Sequence, residues 1–156
     1  MHSLHILTLG KAQESWQTDA IAQYTTRLKP YAMVKILEIP DESESPTMTS
    51  AQLRFREGEK LRRSIPAGST VIALDETGKN LSSQEWADLL SAEAERGTPL
   101  AFLVGGANGL DPELRSSAHK VLSLGKHTMP HMLARIVLLE QLYRAETPLK
   151  GKTYHR

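Results

Sequence analysis

The sequence predicts an α/β domain with a mostly parallel sheet held between helix layers. Three observations carry this: stretches of strand character alternate with stretches of helical periodicity, the strands read as near-continuous apolar runs, and no repeat or low-complexity tract interrupts the alternation. The chain of 156 residues, 40% hydrophobic and 24% charged, has the size and composition of one globular domain. A second full domain would not fit.

The elements follow in order. His2 to Leu9 sets Leu4, Ile6 and Thr8 on one side and His5, Leu7 and Leu9 on the other, as a strand covered on both faces requires, and Gly10 ends it. From Ser15 to Leu28, Trp16, Ala20, Ile21, Tyr24 and Leu28 recur at helical spacing until Pro30 stops the pattern. Val34 to Ile39 is a second strand. The Ser, Thr, Pro and acid-rich stretch from Asp41 to Ser50 reads as a connecting loop, and Ala51 to Arg63 as a charged helix with a thin apolar face. Pro66-Ala67-Gly68 turns the chain into a strand from Thr70 to Leu74, after which Thr77-Gly78-Lys79-Asn80 reads as a turn. Ser82 and Glu85 form a capping box for a helix carrying Trp86, Leu89 and Leu90. Leu100 to Val104 is apolar throughout, the mark of a mid-sheet strand. Asp111-Pro112-Glu113 supplies an N-cap, a first-turn proline and a first-turn acid for a short helix. Val121 to Leu124 is one more short strand, and Pro130 opens a last helix reaching about Ala145, with an eleven-residue tail beyond it.

Composition excludes several chemistries. With no cysteine, the chain has no disulfide framework, cysteine-zinc site or thiol nucleophile. Neither a basic leader with a cleavage site nor a membrane-length apolar run is present, so the expectation is a soluble, cytoplasmic protein with no membrane contact. The net charge of +1 conceals an asymmetry: residues 1 to 118 sum to −4, whereas the segment from His119 onward sums to +5 and holds four of the six histidines. Such an end suits an anionic partner such as RNA, a solvated basic tail being the other reading.

Ligands of open α/β sheets gather at the carboxyl ends of strands. Three such ends stand out here: Leu74-Asp75-Glu76-Thr77-Gly78, Gly105-Gly106-Ala107-Asn108-Gly109, and Leu124-Gly125-Lys126-His127-Thr128-Met129-Pro130. The glycine cluster lacks the G-x-G-x-x-G of dinucleotide sites and the G-K-[ST] of P-loops, and taken alone it reads first as a plain turn. A metal pair at His127 and His131 is disfavoured, because Thr128 stands where H-E-x-x-H has Glu and Pro130 prevents a helix through both. The last helix is apolar nearly all round, through Met132, Leu133, Ile136, Val137, Leu138, Leu139, Leu142 and Tyr143. One side can pack on its own sheet, and a two-fold copy of the chain is the simplest cover for the other, so a homodimer is expected. Arg135, Glu140 and Arg144 interrupt that surface either as a buried intersubunit ion pair or as functional groups.

Gly105-Gly106-Ala107-Asn108-Gly109-Leu110, Thr128-Met129-Pro130-His131, Leu139-Glu140-Gln141-Leu142-Tyr143-Arg144-Ala145 and the terminal Tyr154-His155-Arg156 closely resemble the small rRNA pseudouridine methyltransferases of the SPOUT (trefoil-knotted) family. Matches at Gly10-Lys11, Tyr24, Arg27, Leu28, Tyr31 and from Leu74 to Lys79 extend the likeness over almost the whole chain. Gly125, His127 and Met132 depart from the residues common at those places, as does the stretch Glu146-Thr147-Pro148.

The resemblance implies a single knotted domain, with a deep trefoil knot within about residues 70–146 and the tail 147–156 at the active site, working as a homodimer through the C-terminal helix. It implies S-adenosylmethionine as methyl donor, with no metal, bound bent in the knot mainly by backbone groups of Leu74, Gly105, Gly106, Gly109, Leu124, Gly125, Lys126, His127, Thr128 and Met129. The acceptor it implies is N3 of a pseudouridine in helix 69 of 23S rRNA in the assembled ribosome. Methyl transfer is an in-line displacement, so placement dominates, and the N3 proton must leave. His131, Tyr154 and His155 are groups able to take it, and Arg135 can stabilise the developing anion. Arg144, Lys152 and Arg156 are the expected RNA contacts. A noncatalytic RNA- or ribosome-binding protein of the same fold, or an enzyme for another RNA base, are the competing readings.

Overall fold

The computed structural model describes residues 1–149, the last two by their backbone alone. Five strands, β1 (His2–Leu9), β2 (Ala32–Ile39), β3 (Thr70–Asn80), β4 (Leu100–Val104) and β5 (Lys120–Ser123), form one parallel sheet in the order β2-β1-β4-β3-β5. The helices are α1 (Ser15–Leu28), α2 (Ser50–Ser64), α3 (Ser83–Arg96), α4 (Pro112–Ser117) and α5 (His131–Leu149).

Alternation along each strand divides the core in two, as a sheet covered on both faces requires. Leu4, Ile6, Ile72, Leu100, Phe102 and Leu122 face α1, α3 and α5, where Leu28, Trp86, Leu90, Leu138, Leu139 and Leu142 meet them. Leu7, Leu9, Ala73, Ala101 and Leu103 face the other way, towards Leu61 of α2 and Leu114 of α4. β4, buried at every position, is the mid-sheet strand that its unbroken apolar run predicts.

Capping fixes the helix starts. The Ser82 hydroxyl accepts from the Glu85 amide at 3.1 Å while the Glu85 carboxylate accepts from the Ser82 amide at 2.6 Å, the capping box legible in the sequence. Thr49 and Gln52 make a second box that starts α2 one residue before the expected Ala51. Asp111 caps α4 through the Leu114 amide at 3.1 Å, with Pro112 in the first turn.

Two expectations change. The turn expected at Thr77 to Asn80 is strand: β3 pairs with β5 through Leu74↔Leu122, makes an excursion, and pairs again through Lys79↔Leu122 and Asn80↔Ser123. The last helix runs past Ala145 to Leu149. Glu146 stays in it by reaching back to the first strand, its carboxylate 3.3 Å from His2 Nδ1 with both side chains buried. The proline that follows has no N–H for the Arg144 carbonyl, and the Thr147 hydroxyl donates to that carbonyl instead at 3.0 Å.

Candidate active site

The carboxyl ends of β4, β3 and β5 are neighbours in the sheet, and together they enclose a cavity of about 620 Å³, within the range that holds a cofactor-sized ligand. Its walls are the β3 excursion (Leu74, Asp75, Glu76), the chain after β4 (Val104 to Leu110) and the chain after β5 (Ser123 to Gly125, His127 to Pro130), closed by His131 and Ala134 of α5. Of the expected cofactor residues, Leu74, Gly105, Gly106, Gly109, Leu124, Gly125, His127, Thr128 and Met129 all line it, whereas Lys126 does not.

The loop after β4 is shaped by what glycine permits. Gly109 has φ +77°, and its amide donates to the Gly106 carbonyl at 3.0 Å, folding the loop on itself. A Cβ on Gly105 would stand 2.8 Å from the Gly109 carbonyl carbon and 2.9 Å from the Leu110 nitrogen, so only glycine lets the two limbs of this loop touch. After β5 the Gly125 amide donates to the Ser123 hydroxyl at 3.1 Å, and that hydroxyl donates to the Gly125 carbonyl.

Charge at the rim is set by partners. Burial by itself would raise the Asp75 pKa, but hydrogen bonds from the Thr77 hydroxyl and amide, with Arg115 at 3.5 Å, outweigh it and hold the carboxyl below its usual range. Asp75 is therefore ionised at the cavity wall, with Arg115 paired to it. His131 is likewise held away from protonation: burial, then the Arg135 charge, lower its pKa, with Asp41 opposing in part. It is neutral at physiological pH and can accept a proton.

Arg135 does not line the cavity. It is 1% exposed, and its partner lies within the chain rather than across a subunit boundary: Nη1 donates to Glu38 Oε2 at 3.0 Å and Nη2 to the Leu9 and Gly10 carbonyls at 3.1 and 3.3 Å. Arg144 likewise grips Glu140 one turn back on its own helix, at 2.9 and 3.3 Å. Tyr24, Arg27, Tyr31 and Tyr143 form one cluster between α1, the start of β2 and α5. The Arg27 guanidinium is 5.7 and 6.0 Å from the rings of Tyr24 and Tyr143, and Tyr31 is 6.2 Å from Tyr143. Lys152, Tyr154, His155 and Arg156 lie outside the described residues. Among the described residues no group of His, Asp and Glu is placed to hold a metal ion, and no helix is long and apolar enough to cross a membrane.

Sequence reasoning overlooked Glu38 and Asp41, which act on Arg135 and His131 from β2 and the loop after it without lining the cavity. It also left Ser123 and Ala134 out of the candidate site, and named Asn108 only within the glycine run.

A parallel α/β sheet with a cavity at three adjacent strand ends is the arrangement in which open α/β proteins bind ligands beyond their strand termini. The chain belongs to the SPOUT methyltransferase family: the family model described as "Predicted SPOUT methyltransferase" matches residues 2–155. Relatives named "Ribosomal RNA large subunit methyltransferase H" are similar over nearly the full length of both chains. That of Symbiobacterium thermophilum is 41% identical over 98% of this chain and 99% of its own, and that of Carboxydothermus hydrogenoformans 40% over 97% and 98%. The relative from Ralstonia nicotianae is 36% identical over 98% of each. A solved structure, that of the SpoU methyltransferase AviRb from Streptomyces viridochromogenes, aligns with 97% of this chain and 62% of its own at TM-score 0.48 and 13% identity.

Proposed function

We propose that the protein transfers a methyl group from S-adenosylmethionine to N3 of a pseudouridine in helix 69 of 23S rRNA, in the assembled ribosome, and that it acts as a homodimer. The observation that carries this is the cavity: glycines and apolar residues of three strand-end loops line it together with an ionised Asp75 and a neutral His131. Its residues fit the donor. Glycine-shaped loops admit a flat purine against the backbone, and the carboxylates of Asp75 and Glu76 complement a cationic sulfonium.

When bound, the donor would supply an electrophilic methyl group, its sulfur keeping the electron pair of the carbon–sulfur bond that breaks. The three loops hold it in place and exclude water. His131 takes the N3 proton onto its imidazole, leaving the N3 lone pair to form the new bond, and placement of N3 in line with the methyl carbon supplies most of the acceleration. The trefoil threading of residues 70–146 belongs to the same proposal, supported by the pairing of β5 with β3 on both sides of the excursion. Leu133, 40% exposed among half-buried Met132, Ile136 and Val137 on α5, supports the dimer.

The test is incubation with labelled S-adenosylmethionine and either intact ribosomes or free rRNA from cells lacking the protein, followed by mapping of the modified base. Label at helix 69 of intact ribosomes is expected. Label elsewhere would make it an enzyme for another base, and no label on either would make it a binding module.

The proposal extends to the terminus, with Tyr154, His155 and Arg156 of one subunit completing the other's site and Lys152, Arg156 and Arg144 contacting RNA. Deleting residues 154–156 is expected to reduce methylation to background while sedimentation still reports a dimer. A fully active truncated protein would refute it.

A further inference from the structure

We propose that Arg135 and Glu38 form a positioning pair that clamps the first turns of α5 to the carboxyl ends of β1 and β2 and so presents His131 to the cavity. The proposal rests on the reading of His131 as the proton acceptor.

The geometry begins at β1. Gly10, at φ +80°, turns the chain out of the strand, and its amide donates to the Ile39 carbonyl of β2 at 2.8 Å. That turn leaves the Leu9 and Gly10 carbonyls facing α5, and one Arg135 nitrogen donates to both, at 3.1 and 3.3 Å. A second nitrogen donates to Glu38 Oε2 at 3.0 Å. The same Glu38 oxygen accepts the Ala12 amide at 2.6 Å, so one carboxylate fixes both the helix and the loop after β1. Three acceptors thus converge on the guanidinium of a residue that is 1% exposed, and one of them is itself held by the Ala12 amide.

His131 lies four residues before Arg135 in the same helix, hence on the same face one turn away. Among the described residues no other hydrogen bond ties the first turns of α5 to the sheet: the Ala134 amide donates to the Pro130 carbonyl at 2.9 Å, which closes the first turn without attaching it. The clamp reaches the glycine loop as well, because a Cβ on Gly106 would meet the Leu9 side chain at 3.3 Å. An arginine stays charged at any pH the protein meets, so the clamp also fixes a positive charge beside His131. Asp41, on the loop after β2, is the opposing charge, while Asp75, Glu76 and His127 share the cavity lining.

A buried arginine can serve folding alone, so the test separates position, charge and stability. Arg135→Lys keeps the charge and loses the fork. Glu38→Gln keeps the shape and an acceptor but loses the charge, at a side chain that is 31% exposed and so tolerant of change. Both are expected to retain the fold by circular dichroism and to bind S-adenosylmethionine within about threefold of the parent. Their kcat is expected to fall by roughly 10- to 100-fold, the scale of a small misplacement at a reacting centre. Arg135→Met, if it folds, should raise the midpoint of the His131 imidazole proton resonance in an NMR titration, Arg135→Lys should leave it in place, and Asp41→Asn should lower it. An Arg135 whose charge does not reach His131 would leave that midpoint where it is in Arg135→Met.

The two readings fail separately. His131→Gln at full activity would overturn the proton-acceptor reading on which the pair rests. An inactive His131→Gln beside Arg135→Lys and Glu38→Gln at parental kcat would overturn the positioning pair and leave that reading standing.

Discussion

A single methyl group added at Gly78 is expected to cost the protein both its fifth strand and the binding of S-adenosylmethionine proposed for its cavity. An alanine Cβ there would stand 2.6 Å from the Leu122 carbonyl carbon and 2.8 Å from both the Leu122 nitrogen and the Val121 carbonyl carbon. All three are main-chain atoms of β5, so no rotamer change can make room, and the strands must part where β3 rejoins β5 after its excursion. Overpacking of a core ordinarily costs about 1–3 kcal/mol, and displacement of a paired strand places this change at or above the upper end. For a chain of this length that is a fall of roughly 6–12 °C in Tm. The functional loss should exceed the loss of stability, because β3 and β5 lead directly into two of the three cavity walls. Isothermal titration of Gly78→Ala with S-adenosylmethionine should then give no measurable binding at temperatures where circular dichroism still reports a folded chain. Gly97→Ala is the control: it has φ +67° and nothing within 4 Å of its Cβ, so it carries the backbone strain of a lost glycine without the collision. Tight binding by Gly78→Ala would mean that β5 can shift without disturbing the cavity.

Gly78 also marks where sequence reading stops. Asp75, Thr77, Gly78 and Asn80 have the composition of a turn, and local chemistry says nothing of a second strand 40 or more residues later that pulls the same segment into the sheet. The other strands were legible to within two residues, because their apolar character follows directly from burial on both faces. The cavity walls were legible too, since glycine and irregular loops at strand ends carry a local signature. Arg135 was conspicuous as a charge in an apolar helix, but its partner Glu38 lies 97 residues earlier, and nothing in either segment refers to the other. The α5 surface shows the same division: sequence marks it as apolar all round, and only packing tells the face against α1 and α3 from the face that carries exposed Leu133.

That outward face carries the second large effect. In a two-fold dimer through α5, each Leu133 meets the partner's copy of the same patch, so a substitution there acts twice. Leu133→Glu forfeits the burial of the 40% of the side chain that the single chain leaves exposed, about 1 kcal/mol per copy. The larger cost is the carboxylate, since taking an unpaired ion out of water carries an effective penalty of several kcal/mol per copy. The neighbouring apolar side chains Met132, Ile136 and Val137 offer it no partner. The two copies also bring like charges together across the axis. A combined loss of at least about 4 kcal/mol weakens association roughly a thousandfold, since each 1.4 kcal/mol is a factor of ten. Sedimentation at micromolar concentration should therefore find Leu133→Glu monomeric. Its helix content should match the parent's, because residue 133 contributes little to the chain's own core. If the tail of one subunit completes the other's site, the monomer should also be inactive on ribosomes while each chain keeps its own cavity and still binds S-adenosylmethionine. A monomer with undiminished methylation would place the whole reaction within one chain, and a variant that remains dimeric would place the interface on another face.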